Sequence, residues 1–140
     1  MEDVFYKDTV TVFCKAESDD IMGTETWHKT VLSGVRMQRV HGRHLTTTGE
    51  ESADNATLHI RTDRLKKPYV DPITWNSLED KDSAWTLTPD RDFFVDGEAE
   101  ETGSEEGNFY EDMCSKYSGC YMVVQVDVFE LIPHLEVTGK

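Results

Sequence analysis

Nine carboxylates stand between Arg91 and Lys116 with no lysine or arginine among them: Asp92, Asp96, Glu98, Glu100, Glu101, Glu105, Glu106, Glu111 and Asp112. Such a run has three chemical readings: a cation site, an acid–base pair, or a displayed negative surface. A calcium loop of the helix–loop–helix type needs oxygen ligands at alternate positions, a central glycine and a closing bidentate Glu. Asp96-Gly97-Glu98 puts the glycine second, and no alternating series follows. Acid–base work needs one carboxyl in an apolar pocket that raises its pKa, but the neighbours here are Gly, Ser, Thr and more acids. The run therefore reads as a solvated, mobile loop at about 96–118, because like charges repel and few apolar groups offset the ordering entropy. Phe109, Tyr110, Met113 and Tyr117 are its exceptions. They are spaced to dock the returning end of the loop on the rest of the fold or on a neighbouring subunit.

Other reactive types are thinly spread. His41 and His44 have an x2 spacing, and no Cys, His or carboxylate lies at a useful ligand distance in sequence. Cys14, Cys114 and Cys120 are an odd number, with five residues between the last two, against two in the common redox and zinc motifs. Reduced, partly buried thiols are expected. There is no Gly-x-Ser-x-Gly, phosphate-cradling Gly loop or His-Glu-x-x-His. Trp27, Trp75 and Trp85 are expected as core or loop anchors rather than base-stacking platforms. The expectation is a non-enzyme with no metal and no cofactor.

The elements that would hold these residues are strands. Residues 8–14, DTVTVFC, set Val10, Val12 and Cys14 against Thr9, Thr11 and Phe13. Residues 15–26 read as a connection, and a second strand runs from about Trp27 to Val40 with Gly34 marking a bulge or bend. Residues 41–55 are polar, small or charged and read as a mobile loop. ATLHIRT, 56–62, alternates Ala56, Leu58 and Ile60 against Thr57, His59 and Arg61. PITWNSLED reads as one helical turn with Thr74 as N-cap. Short strands at Trp85–Leu87 and Asp92–Val95 flank a Pro89-Asp90 turn. The run 121–131, YMVVQVDVFEL, is the strongest strand signal; Pro133 breaks it, and HLEVTG, 134–139, is the last strand. Six or seven short strands, long loops and at most one short helix predict an all-β fold, a small β-barrel or β-sandwich. Its core should include Val10, Val12, Leu58, Ile60, Val124, Val126 and Val128.

With 140 residues the chain is one domain by size. A net charge of −14 argues against a basic surface that grips phosphates. The segment between Arg91 and Lys116 alone carries −9 of it. No apolar run is long enough to span a membrane, and MEDVFYKDTVTV lacks the basic and apolar regions of a secretory signal.

The blocks DTVTVF, ETWHKTVLSGV, ATLHIRTD, WTLTPDRDFFVDGE and VDVFELIPHLEVTGK together resemble small neck proteins of long-tailed bacteriophages, in particular head–tail connector stopper proteins and related prophage proteins. DFFVDGE and HLEVTGK are the most telling blocks. The chain is longer than those proteins, chiefly through 63–84 and 96–118. The resemblance implies a homo-oligomeric ring, six- or twelve-fold, beneath the portal and adaptor and above the tail, in a virion assembled in the host bacterial cytoplasm. Packaged double-stranded DNA would pass its lumen without specific binding. A channel or gating loop would then carry Asp96, Glu98, Glu100, Glu101, Glu105 and Glu106, repelling phosphates while closing the channel. The resemblance also leaves room for a tail-completion or other minor capsid protein. From a different class, the charge alone fits an acidic DNA-mimic binding protein, although mimics spread charge over a face and this chain concentrates it.

Overall fold

A computed structural model describes residues 6–16, 26–46, 49–101 and 109–140, with backbone alone for 40–46, 49–54 and Arg64. Six strands close an antiparallel barrel in the order β1-β2-β3-β6-β5-β4. They are β1 (Asp8–Ala16), β2 (Thr26–Thr46), β3 (Gly49–Arg61), β4 (Phe93–Asp96), β5 (Cys120–Phe129) and β6 (His134–Gly139). Closure removes most of the open edges that a six-stranded sheet would otherwise leave.

β2 belongs to two neighbours in turn. Its first part pairs with β1 as far as Asp8↔Val35, and its second part pairs with β3 from Arg36↔His59 onward. The handover falls at Gly34, φ +72°, the extra residue where the register steps from Thr9↔Ser33 to Asp8↔Val35. That positive φ is left-handed backbone that glycine adopts at little cost, so the bulge expected there is present. The mobile loop expected at 41–55 is instead strand: Val40↔Asn55 through Thr46↔Gly49 continue the β2–β3 ladder. β1 pairs with β2 no further than Val35 and β6 with β3 no further than Ala56. Beyond them a two-stranded ribbon about 20 Å long projects from the barrel, at some 3.3 Å per residue. Polar composition misled because the register that continues this ladder is a property of the backbone, which composition does not show.

The interior is filled. Val10, Val12, Leu58, Ile60, Phe94, Val123, Leu135 and Val137 are fully buried. Trp75, Trp85 and Leu87, all from the β3–β4 connection, enter the same core. Two of the core residues expected from sequence are misplaced: Val124 is 41% and Val128 58% exposed. Val124 is the extra residue of a second bulge, between Val123↔Gly139 and Gln125↔Thr138, which shifts the alternation of β5 by one. Val128 lies opposite the buried Leu135, but the β4–β5 register stops at Phe93↔Met122, so no strand flanks β5 on that side. Val126 is half-buried against the core.

The β3–β4 connection holds α1 (Pro72–Ser77). Its N-cap is Asp71, not Thr74: the Asp71 carboxylate accepts from Thr74 N at 3.1 Å, and Pro72 starts the helix with its fixed φ. Trp85–Leu87 is not a strand; only an isolated bridge, Tyr69↔Trp85, forms there. Both tryptophans anchor themselves by indole N–H bonds, Trp75 to Lys81 O and Ala84 O, Trp85 to Lys67 O. A second helix, α2 (Phe109–Lys116), occupies part of the segment expected to be loop.

Candidate functional site

β4 leads directly into the acidic segment and fixes how it begins. Asp96 N donates to Gly119 O at 2.9 Å, and Gly97 N to Thr9 O at 2.8 Å. The Thr11 hydroxyl then ties the next turn of chain to β1, donating to Gly97 O at 2.8 Å and accepting from Ala99 N at 2.9 Å. Ala99 is buried, while Asp96, Glu98 and Glu100 are exposed. The segment thus leaves the barrel as a held, extended chain with its acids outward.

Two acids of the segment, Asp96 and Glu101, lie against a cation. Asp96 Oδ2 accepts from Arg39 Nη2 at 2.6 Å, and the Arg39 guanidinium lies 5.9 Å from the Tyr121 ring centroid. Asp8, Met37, Arg39 and Asp96 line an open depression of about 370 Å³. Glu101 Oε2 accepts from the Tyr117 hydroxyl at 2.8 Å, and Lys116 Nζ lies 3.6 Å from Glu101 Oε1. The Tyr117 hydrogen bond, chiefly, holds the Glu101 carboxyl below the usual range and lifts the Tyr117 hydroxyl above its own. Glu105 and Glu106 lie outside the described residues.

The return of the segment is anchored by aromatics. Phe109 and Met113 of α2 are buried with Phe13, Phe93, Val95 and Ala99 on the outer side of β1 and β4, and Tyr110 and Tyr117 pack at the margin. Phe13 stacks on Phe93 at 5.0 Å and meets Phe109 edge-on at 5.1 Å; Trp27 and Tyr110 lie against Phe93 at 5.3 and 5.2 Å. This small external core explains why β1 and β4 are buried on both faces. The mobile excursion expected across 96–118 is therefore corrected at both ends, since 96–101 follows β1 and 109–116 is a docked helix.

Several groups carry signals the sequence did not. Asp92 is fully buried, and both its oxygens are used: Oδ1 accepts from Lys15 N at 2.9 Å and Oδ2 from Thr88 N at 2.7 Å. Burial outweighs those bonds and pushes its carboxyl up to about 6. Cys14 donates to Thr86 O at 2.8 Å, and burial, then Asp92, pushes its thiol far up. Cys120 has Cys114 as a hydrogen-bond partner, and burial, more than that contact, raises its thiol. The turn after α2 brings these two together despite their uninformative spacing. On the β2–β3 ribbon, the register sets His41 opposite Asp54 and His44 opposite Glu51; their side chains lie outside the described set. Among the described residues no cluster of His, Cys, Asp and Glu forms a metal-holding group, and no helix is long and apolar enough to cross a membrane.

Among the described residues, four exposed large apolar side chains gather at the β5–β6 turn. Leu131 is 98% and Ile132 69% exposed, flanked by Val128 and Phe129. Phe129 stacks on His134 at 4.5 Å, and Pro133 O accepts from Thr62 N, so the turn is tied to the end of β3. The sequence hid this by running the strand on to residue 131; two aliphatic residues immediately before Pro133 were the available signal.

A family of unknown function, DUF6751, matches residues 5–140. No curated protein and no solved structure matches the chain.

Proposed function

The chain belongs to the DUF6751 family of unknown function, and from that premise we propose that it is a structural virion protein of a tailed bacteriophage or prophage. In this reading it is a head–tail connector of the stopper type, a subunit of a ring that joins the portal and adaptor to the tail and helps retain DNA. The observation that carries the reading is where this fold keeps its contact surface. Among the described residues the barrel interior is occupied by the protein's own side chains. What it offers outward is the β2–β3 ribbon, the exposed 128–132 tip and the outward acids Glu98 and Glu100. Extensions and sticky tips on a rigid barrel serve assembly, and the order of sequence blocks that resembles stopper proteins supplies the assembly.

No catalytic residue, metal or cofactor enters this function. The acids act collectively, lowering the affinity of a channel wall for phosphates so that DNA slides past. Placement in a tail-completion or other minor capsid position would use the same surfaces. The neutralisation of Asp96 by Arg39 and of Glu101 by Lys116 and Tyr117 weighs against a DNA mimic, which needs a displayed row of charge.

The test is genetic. Inactivating the gene in an inducible phage should yield filled or emptied heads separate from finished tails, with complementation restoring joined particles. A normal yield of infectious particles without the protein would refute the reading.

A further inference from the structure

Two exposed features of the barrel each set apolar side chains beside charge, of opposite sign in the two. The first is the β5–β6 tip: Val128, Phe129, Leu131 and Ile132 are all more than 40% exposed, and acids accompany them at Asp127, Glu130 and Glu136. From Gln125 to Phe129 the register pairs β5 with β6 alone, so β5 is open on its other side there, while pairing of β6 with β3 and the Thr62–Pro133 bond hold the base of the tip. The second is a groove of about 90 Å³ between β2 and the chain that follows β3, lined by Thr30, Val31, Leu65, Lys66 and Lys67 among others. Its floor is apolar, with Val31 39% exposed and Leu65 half-buried. Its rim is basic: Lys66 is exposed, and Lys67 Nζ reaches Thr30 Oγ1 at 3.2 Å.

We infer that the Leu131–Ile132 tip of one copy docks in the Val31–Leu65 groove of a second copy, with Glu130 and its neighbouring acids meeting Lys66 and Lys67. This inference rests on the ring reading and names the contact that joins its subunits. A chain of net charge −14 repels its own copies over most of its surface, so association requires a place where sign reverses. The paired lysines beside an apolar floor provide that place, and the tip provides the complementary partner. An aliphatic pair buried in a pocket and rimmed by opposite charge is the anatomy of a contact whose centre supplies affinity and whose edge supplies register. Because tip and groove are different surfaces, the contact is head-to-tail unless two copies exchange tips reciprocally.

The experiment uses the full chain and two variants, Leu131→Asp/Ile132→Asp and Lys66→Glu/Lys67→Glu, each checked for native circular dichroism. Sedimentation across a dilution series should show self-association of the wild type, weakened about thirtyfold or more in each variant. An equimolar mixture of the two variants retains one intact tip and one intact groove, and should form a heterodimer that neither forms alone. A wild type that stays monomeric, variants that assemble like the wild type, or a mixture that stays monomeric would each overturn the docking. A folding failure in one variant leaves the other, at a distinct surface, to decide. None of these failures touches the ring reading, because that reading stands or falls on particle assembly in the phage.

Discussion

Asp92 is held in a position where ionisation is both useful and costly. Its two oxygens join β1, through Lys15 N, to the turn before β4, through Thr88 N, while burial raises its carboxyl to about 6. A raised folded-state value means that the folded protein binds the proton more tightly than the unfolded chain. Its contribution to stability is therefore largest at acid pH and declines as pH rises from about 4 through about 6. In Asp92→Asn the amide NH2 meets one of the two N–H donors and leaves it without an acceptor, a cost of about 1–3 kcal/mol. The variant should be less stable at pH 4 by about that amount, and the gap should narrow through pH 6 as the wild type buries a charge. Urea melts at stepped pH check this, and a gap that widens with pH would show that the N–H bonds outweigh desolvation. Nothing in the sequence marks Asp92 out from the eight acids that follow it, because its distinction is burial, and burial arises from what β1 brings across.

At the scale of elements, strand alternation was readable wherever a strand keeps a single register. Residues 56–60 turned Ala56, Leu58 and Ile60 inward and 134–139 became β6 with the bounds its composition indicates. β5 defeated the same logic because its bulge inserts Val124 and reverses the phase. The β2–β3 ribbon escaped because backbone pairing leaves no mark on composition, and α2 because its acids mask the i, i+4 pair Phe109 and Met113. The aromatic contacts at Phe109 predict that α2 is docked in the isolated chain. Phe109→Ala should free it at a cost of about 3 kcal/mol or less, since a helix packed on the outside of β1 and β4 can detach without opening the barrel. Hydrogen exchange should then speed up at residues 113–117 while β3 and β6 keep their protection. Uniform loss across the barrel would show that α2 is part of one cooperative unit.

The whole molecule is a closed, side-chain-filled barrel with two long connections, the β3–β4 chain that enters the core and the acidic segment outside it. The all-β class and barrel closure were legible from strand count and spacing; the candidate acids were legible as a charge run, but not their pairing with Arg39 and Lys116, which depends on residues brought from far along the chain. Deleting 97–107 should leave the barrel folded, with a strand-dominated far-UV spectrum, because the inner core draws only on residues outside that span and the outer cluster loses Ala99 alone. Particles carrying the shortened protein should leak DNA or fail to join tails if the segment works at the channel. The central claim is that this chain is a stoichiometric part of the virion neck, and quantitative mass spectrometry of purified particles tests it most directly. Six or twelve copies per particle, co-purifying with portal and tail proteins, are expected. Particles that infect normally and contain none of it would contradict the account.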